Sequence, residues 1–322
     1  MKRGLGIALV GLGAFLLVLA GALKFYAVPA LAKAPLVPGE DTGGISTSLA
    51  VGTAESLFDP SALVAGENPI RTNVPLTSTR TTRGDVTESQ TDAAKADDLA
   101  IYDSFSNLTD DTGTTISAGT IRVAFDRVTS ELSNCCNANI DGEAVEWSGI
   151  NPLKFPFNVE QKTYDYFDTT LAKAIPIEFS GTEDLDGLEV YVFKQSIPAT
   201  QIGEQEVPGS LVGSTEASVK APRMYENVRT LQVDPVTGSI IADVEEQKQW
   251  LAGADGTEKL TIIKATVGTE DATKQTAIDD AKASGALIKT LGTTVPIVGF
   301  VLGLILLVVG FVLVARKDPA SS

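Results

Sequence analysis

Near the C-terminal end of the chain lies the apolar stretch that decides its architecture. This stretch, Val295–Ala315, reads VPIVGFVLGLILLVVGFVLVA. Its 21 residues carry no charge, and Arg316 and Lys317 follow directly. A helix rises 1.5 Å per residue, so this stretch matches the ~30 Å hydrocarbon core of a bilayer. The pattern predicts a transmembrane helix over residues 295–315.

A second apolar stretch lies near the opposite end, over residues 4–23, and it also lacks charged side chains. A cleaved signal peptide is the alternative interpretation, because Lys2 and Arg3 precede the stretch and Ala30-Leu31-Ala32 has the small residues of a cleavage site. The apolar regions of signal peptides are only about 7 to 15 residues long. The length therefore favours an uncleaved transmembrane helix.

Basic residues flank both stretches on the side of the chain termini. Because Lys and Arg beside a membrane helix stay in the cytoplasm, we expect residues 1–3 and 316–322 to be cytoplasmic tails. The protein is then a two-pass protein of the cell membrane, and the segment between its helices is extracytoplasmic. The lipid bilayer is its most direct partner.

The composition excludes several classes of chemistry. The 322 residues include no histidine and only two cysteines, which rules out histidine-dependent catalysis, His-ligated zinc or haem, zinc ribbons and iron–sulfur clusters. The chain has 25 basic and 41 acidic residues; without the four bases and one acid of the tails, 21 and 40 remain, a net charge of −19. Such a segment repels nucleic acid, and we expect neither a nucleic-acid partner nor a cofactor.

The region between the two spans is rich in strand patterns. Prolines and few periodic apolar residues predict an extended stem over residues 24–43. Short β-branched or alternating runs follow over residues 44–268; the clearest is Leu188–Gln195, and Asp234–Gly238 predicts a hairpin turn. Residues 269–292 change to helical spacing. The predicted fold is a β-rich (α+β) extracytoplasmic domain between two transmembrane helices, with a C-terminal helix leading toward the second span.

Two small sequence features predict specific contacts. Gly299 and Gly303 form a G-x-x-x-G spacing, which lets another helix approach closely; pairing with the first span is preferred to dimerisation. Cys135 and Cys136 are adjacent, so they cannot staple distant parts of one chain. They could form a vicinal disulfide, bridge to another molecule or remain free thiols, and the vicinal disulfide is favoured.

Candidate catalytic and metal-binding residues are few. Carboxylates cluster at Asp110–Asp111 and at Glu183–Asp186, where they could offer oxygen ligands to calcium, but neither cluster completes an EF-hand loop. Chance pairs of carboxylates are unavoidable among so many acidic residues. We therefore predict no catalytic residue, no metal site and no enzyme activity.

An aromatic cluster stands out in the middle of the chain. Residues 151–168 read NPLKFPFNVEQKTYDYFD and hold five of the chain's 18 Phe and Tyr residues. Packing in a core is the favoured interpretation, since each ring buries ~150 to 250 Å². The functional alternative is an apolar cleft for a lipid or sugar. Its candidate lining residues are Phe155, Phe157, Tyr164, Tyr166 and Phe167.

Several motifs together resemble a known family. They are Lys-Phe-Pro-Phe-Asn at 154–158, Lys-Thr-Tyr at 162–164, Phe-Asp at 167–168, Gly-Leu-Glu-Val-Tyr-Val-Phe-Lys-Gln at 187–195 and Val-Asp-Pro-Val-Thr-Gly at 233–238, between two spans. This combination resembles the actinobacterial PorA-like porin family of the cell envelope. The resemblance implies an integral cytoplasmic-membrane protein with a large external domain in a mycolate-type envelope. It carries over no catalytic residue.

Three functions fit these features. The favoured hypothesis is a non-enzymatic envelope protein whose external domain binds or transfers a lipid or lipoglycan, and it predicts a long apolar cavity beside the aromatic cluster. The first alternative is a channel-forming protein, as the porin label implies, although two apolar helices differ from an outer-membrane barrel. The second alternative is a membrane-tethered hydrolase, which requires converging carboxylates or a Ser/Lys pair in a polar cleft.

Overall fold

The computed structural model describes residues 2–39 and 43–315, and it gives only the backbone of Lys2 and Leu31. The described residues form two compact units, one drawn from residues 2–33 and 282–315 and the other from residues 34–39 and 43–281. The predicted C-terminal tail, including Arg316 and Lys317, lies outside the described residues.

The first unit is helical. Its elements are α1 (Lys2–Ala22), a π-helical turn (Leu23–Ala27), α2 (Val28–Leu31), the end of α6 (Asp271–Lys289), a second π-helical turn (Thr290–Thr294) and α7 (Val295–Ala315). The helical stretches Arg3–Ala30 and Asp271–Ala315 are long and apolar enough to cross a membrane. The backbone stays helical to Leu31, where an extended stem was expected from residue 24. Pro29 lies in the first turn of α2, directly after the π-helical turn.

The second unit is dominated by β-strands. In chain order the strands are β1 (Ile45–Phe58), β2 (Ile70–Arg71), β3 (Val74–Gly84), β4 (Leu99–Asp110), β5 (Thr115–Asp126), β6 (Leu132–Ser133), β7 (Asn139–Ile140), β8 (Glu143–Ala144), β9 (Tyr164–Asp168), β10 (Lys173–Leu185), β11 (Leu188–Pro208), β12 (Ser218–Val233), β13 (Ile240–Ala252) and β14 (Glu258–Thr269). The short helices are α3 (Pro60–Ala65), α4 (Val86–Ser89), α5 (Asp92–Ala96) and a 3-10 turn (Gly209–Val212). A β-rich domain between two apolar helices is thus confirmed.

All the strands belong to one sheet. Its order is β8-β7-β5-β4-β3-β1-β14-β13-β12-β11-β10-β9, with β2 beside β1 and β6 beside β5. The ladders between these strands are antiparallel. The first and last long strands meet in the middle, where Ala50 pairs with Thr269. The strand that enters the sheet first and the strand that leaves it last are therefore neighbours at its centre.

The sheet is open along most of its length, but one residue connects its two ends. Ile150 forms an antiparallel bridge with Glu131, just before β6, and a parallel bridge with Tyr166 of β9. The Ile150 amide donates to the Asp165 carbonyl at 2.7 Å, and the Phe167 amide donates to the Ile150 carbonyl at 3.2 Å. We call this connection the Ile150 seam. It closes the strands into a ring at one level.

Buried side chains from several strands form two clusters near the Ile150 seam. One cluster joins Tyr102 and Phe125 to Phe167 and Trp147, and a second surrounds Phe155 and Phe193. On the face of β11 opposite Phe193, Ile278 and Ala281 of α6 pack on Val190 and Ile241. The core is therefore divided among patches on both faces of one large sheet.

Candidate functional site

The structure brings three of the five candidate aromatic residues together. The ring of Phe155 lies 5.5 Å from that of Tyr164 and 5.8 Å from that of Tyr166, measured between centroids. Phe167 belongs to the other cluster, 4.5 Å from Trp147. Phe157 belongs to neither cluster; its ring lies 4.0 Å below the ammonium group of Lys154.

The surroundings of these rings are packed. Phe155 is 0 % exposed, and Phe193 fills the space beside it at 4.8 Å. The open depression next to the cluster has a volume of about 320 Å³, and polar Glu131, Thr163 and Asp165 contribute to its lining. Among the residues that the structure describes, this depression is open and partly polar, unlike the long apolar cavity that the carrier hypothesis predicts.

The loop that carries Phe155 is docked on the predicted hairpin turn. The amide groups of Phe155, Asn158 and Val159 donate to the carbonyls of Gly238, Val236 and Pro235 at 2.8, 3.0 and 2.8 Å. Gly238 has a φ of +74°, and a Cβ placed there would lie 2.2 Å from the carbonyl oxygens of both Phe155 and Pro156. Only glycine fits this approach of loop and turn.

Lys154 strengthens the same contact. Its Nζ donates to the carbonyl of Phe155 at 2.9 Å and to the carbonyl of Thr237. Burial lowers the pKa of Lys154 to about 7, and the attraction of Asp234 offsets only part of that shift. A lysine with such a pKa can act as a base or nucleophile, but here both described acceptors are backbone carbonyls. Its position is that of a structural clamp.

A network of charged and polar side chains lies on one face of the sheet, which we call the inner face. Arg229 of β12 donates through Nε to Glu245 at 2.6 Å, through Nη1 to Gln195 at 2.7 Å and through Nη2 to Asp168 at 3.3 Å. Asp168 is fully buried and also accepts from the amides of Thr170 and Leu171. We call these four side chains, Asp168, Gln195, Arg229 and Glu245, the Arg229 network.

The electrostatics of this network follow from its burial. Burial alone would raise the pKa of Glu245, but the charge of Arg229 and its hydrogen bond overcome that effect, so the pKa lies below its usual value. Burial raises the pKa of Tyr166 to about 12, and its ring lies 5.5 Å from the Arg229 guanidinium. Glu245 and Arg229 are therefore charged and paired with each other at neutral pH, which suits a structural core.

Sequence reasoning did not identify the Arg229 network. The available signal was strand alternation, because Asn227 and Arg229 share a strand face with Tyr225, Leu231 and Val233, all buried. Polar side chains on an apolar face indicate buried partners. The partners themselves, Asp168 and Gln195, lie on other strands and could not be found from that pattern.

In the helical unit, small residues line the contact between α1 and α7. A Cβ added at Gly13 would lie 2.7 Å from the Gly303 carbonyl oxygen, and one added at Gly6 would lie 2.9 Å from that of Gly310. At Gly299 an added Cβ would meet Ala20 at 3.6 Å, an ordinary contact. The order of these contacts makes the two helices antiparallel. Of the two predicted packing glycines, Gly303 lies at the tighter contact.

The two cysteines are joined to each other. Cys135 and Cys136 form a disulfide, and both side chains are half-buried against a cluster that contains Ala94, Leu99 and Ile101. Arg122 donates to the Cys136 carbonyl at 3.0 Å.

The carboxylate clusters have protein partners. Asp110 accepts from Arg71 at 2.5 Å and from the amides of Thr112 and Thr114, and Glu183 accepts from Gln232 at 2.5 Å. Across residues 2–39 and 43–315, no group of three or more His, Cys, Asp or Glu side chains is placed to hold a metal ion. The carboxylates of these clusters are thus hydrogen-bonded to residues of neighbouring turns and strands.

The family model named Porin PorA matches residues 5–312, across both units. The chain belongs to the Porin PorA family. Similar proteins include a Porin PorA of Corynebacterium amycolatum, 27% identical over 398 aligned positions that cover 97% of this chain and 98% of the relative. A Porin PorA of Corynebacterium resistens is 26% identical over 423 positions, with 100% and 98% covered. This Porin PorA family member is therefore a membrane protein of the cell envelope, and the resemblance seen in its motifs is confirmed.

Proposed function

We propose that the protein forms a channel in the cell envelope by assembly of several copies, with α1 and α7 of each copy in the membrane. The observation that carries this proposal is the match of nearly the whole chain to the Porin PorA family and to relatives of that name. We infer no enzyme activity, because the Arg229 network is paired internally and Lys154 contacts backbone carbonyls.

The helix packing supports an assembly rather than a pore within one copy. The α1–α7 contact brings Gly13 against Gly303 and Gly6 against Gly310, which leaves no space for water between the two helices. The remaining faces are apolar, with Phe15, Val18, Phe300 and Val308 more than half exposed. Such faces suit contact with lipid or with helices of further copies.

The sheet is unsuited to the hydrocarbon core. Lys194, Glu246 and Lys264 point from the face opposite the Arg229 network, since Gln195, Glu245 and Ala265 occupy the alternating inner positions. Charged side chains on a lipid-facing strand cost several kcal/mol in hydrocarbon. We therefore propose that the sheet lies in water on the extracytoplasmic side and that the helices alone cross the cell membrane, with both chain termini in the cytoplasm.

Conductance of the full-length protein in planar lipid bilayers tests this function. We expect stepwise current increases from protein purified in mild detergent, and an oligomer of defined size by native mass spectrometry. Gly13→Leu places a side chain into the α7 backbone and should abolish both signals. Gly11→Leu is the matched control, because nothing lies within 4 Å of a Cβ at Gly11.

The outcomes separate the candidate functions. A folded protein that gives no current steps over a wide range of protein amounts contradicts channel formation. A co-purifying lipid or lipoglycan that remains with a silent monomer would instead support the carrier function, with a binding surface other than the packed rings around Phe155.

A further inference from the structure

The disulfide lies in a segment that borders the Ile150 seam. Strands β6 and β7 pair with β5 on either side of it, Ser133 opposite Ala124 and Asn139 opposite Arg122. Cys135 and Cys136 occupy the turn between these two short strands. The disulfide therefore sits in an interruption of the sheet's outer edge.

The same turn is tied directly to the seam. Asn134, next to Cys135, donates through Nδ2 to the Trp147 carbonyl at 2.9 Å and accepts from the Trp147 amide at 2.7 Å. Two residues earlier, the Leu132 amide donates to the Gly149 carbonyl at 2.9 Å. Displacement of the cysteine turn would thus act on the residues that hold Ile150 in place.

Arg122 connects the turn to the body of the sheet. Its Nε donates to the Cys136 carbonyl, while its two terminal nitrogens donate to Asp103 at 2.9 Å and Asp85 at 2.8 Å. The contact requires unusual backbone angles, because Cys136 and Asn137 have φ values of +60° and +57°. Residues other than glycine rarely adopt positive φ values. The ring that the disulfide closes limits the other backbone conformations open to Cys136.

We propose that the Cys135–Cys136 disulfide is a redox-sensitive clasp for the Ile150 seam. In the oxidised form it holds the turn against Arg122 and keeps the sheet closed at Ile150. Reduction by a dithiol breaks the S–S bond; each cysteine sulfur gains one electron and one proton, and the dithiol is oxidised to its own disulfide. The freed turn leaves its left-handed conformation, releases Arg122 and loosens the seam. Both cysteines are partly exposed, so a reductant can reach them.

Hydrogen exchange of the full-length protein, read by mass spectrometry with and without dithiothreitol, tests the clasp. Alkylation that adds two groups per chain verifies reduction. We expect exchange at the amides of Leu132, Ile150 and Phe167 to accelerate at least tenfold, while the β12–β13 ladder around Arg229 keeps its rate. Unchanged exchange at the seam after verified reduction would overturn the proposal.

Two variants separate the effect of the disulfide from the effect of the backbone conformation of the turn. The double variant Cys135→Ser/Cys136→Ser should exchange fast at the seam without reductant and should no longer respond to it. Asn137→Gly changes the neighbouring left-handed position but keeps both sulfurs, so it should retain slow exchange and the response to reductant. If the double variant does not fold, the reduction of the unmodified protein decides the question; two free thiols together with a slow seam before reduction would count against the clasp.

Discussion

The amide of Phe155 donates a hydrogen bond to the carbonyl oxygen of Gly238 at 2.8 Å, and this contact joins two of the most distinctive motifs in the sequence. The Lys-Phe-Pro-Phe-Asn loop lies on the Asp-Pro-Val-Thr-Gly turn, backbone against backbone. The unusual residues in both motifs stabilise this contact. Gly238 leaves space for the loop backbone, and Lys154 donates a hydrogen bond to the Phe155 carbonyl. Packing accounts for these motifs without a bound ligand.

Gly238→Ala should destabilise the protein strongly, by about 3 kcal/mol or more, because the new methyl group meets two carbonyl oxygens at a positive φ. Gly256→Ala is the control, since its φ is +75° but nothing lies within 4 Å of its Cβ. That variant should lose only about 1 kcal/mol. Urea unfolding measures both, and equal losses would show that the docking contact is unimportant.

Lys154 should make stability depend on pH. Its pKa is about 7 in the folded protein and near 10.5 when exposed, so between these values the unfolded chain holds a proton that the folded protein lacks. Stability should therefore rise from pH 7 to pH 9.5. Lys154→Met should flatten this rise in thermal denaturation curves. An identical slope in the variant would assign the pH dependence to other groups.

Arg229→Met should cost about 3 to 5 kcal/mol, because it removes the cation that forms ion pairs with Asp168 and Glu245. Lys264→Met, which removes an exposed partner of Glu55, should change stability little. Denaturant unfolding compares the two variants. In the unmodified protein the depressed pKa of Glu245 contributes stability above its unfolded pKa, and this contribution is lost as the pH falls through the folded value.

Gly303→Ala should weaken the α1–α7 contact, whereas Gly299→Ala should be tolerated. The added methyl group lies 2.9 Å from the Gly13 carbonyl oxygen in the first variant and 3.6 Å from the Ala20 Cβ in the second. Thermal unfolding in detergent, followed by circular dichroism, should show a lower midpoint for Gly303→Ala alone. Equal midpoints would mean that the helix contact adds little to stability.

Local patterns predicted much of the secondary structure. The apolar lengths indicated α1 and α7, and alternation located the start of β11, because both signals depend on neighbouring residues. The pairing of β1 with β14 and the bridges of Ile150 depend on residues distant in the sequence, so no local pattern contained them. Strand β11 runs to Pro208, well beyond the predicted Gln195, since its partner β12 supplies the pairing that its own polar sequence does not indicate.

The candidate residues divide in the same way. The aromatic stretch was recognised by composition, yet strand direction separates Phe167 from Tyr166, because adjacent strand residues face opposite sides. Composition could not show this. The two charged partners of Arg229, Asp168 and Glu245, and its neutral partner Gln195 were missed because they come from three other strands.

The contact of α1 with α7 joins the first and last described helices of the chain, and this order bears on biosynthesis. Until α7 has been synthesised, Gly6 and Gly13 have no partner helix, although α1 has long been available for insertion. A nascent or truncated chain would thus present a glycine-lined helix to any other membrane segment nearby. Synthesis of α7 is the event that covers this surface, so the interval between the two helices sets how long it stays exposed.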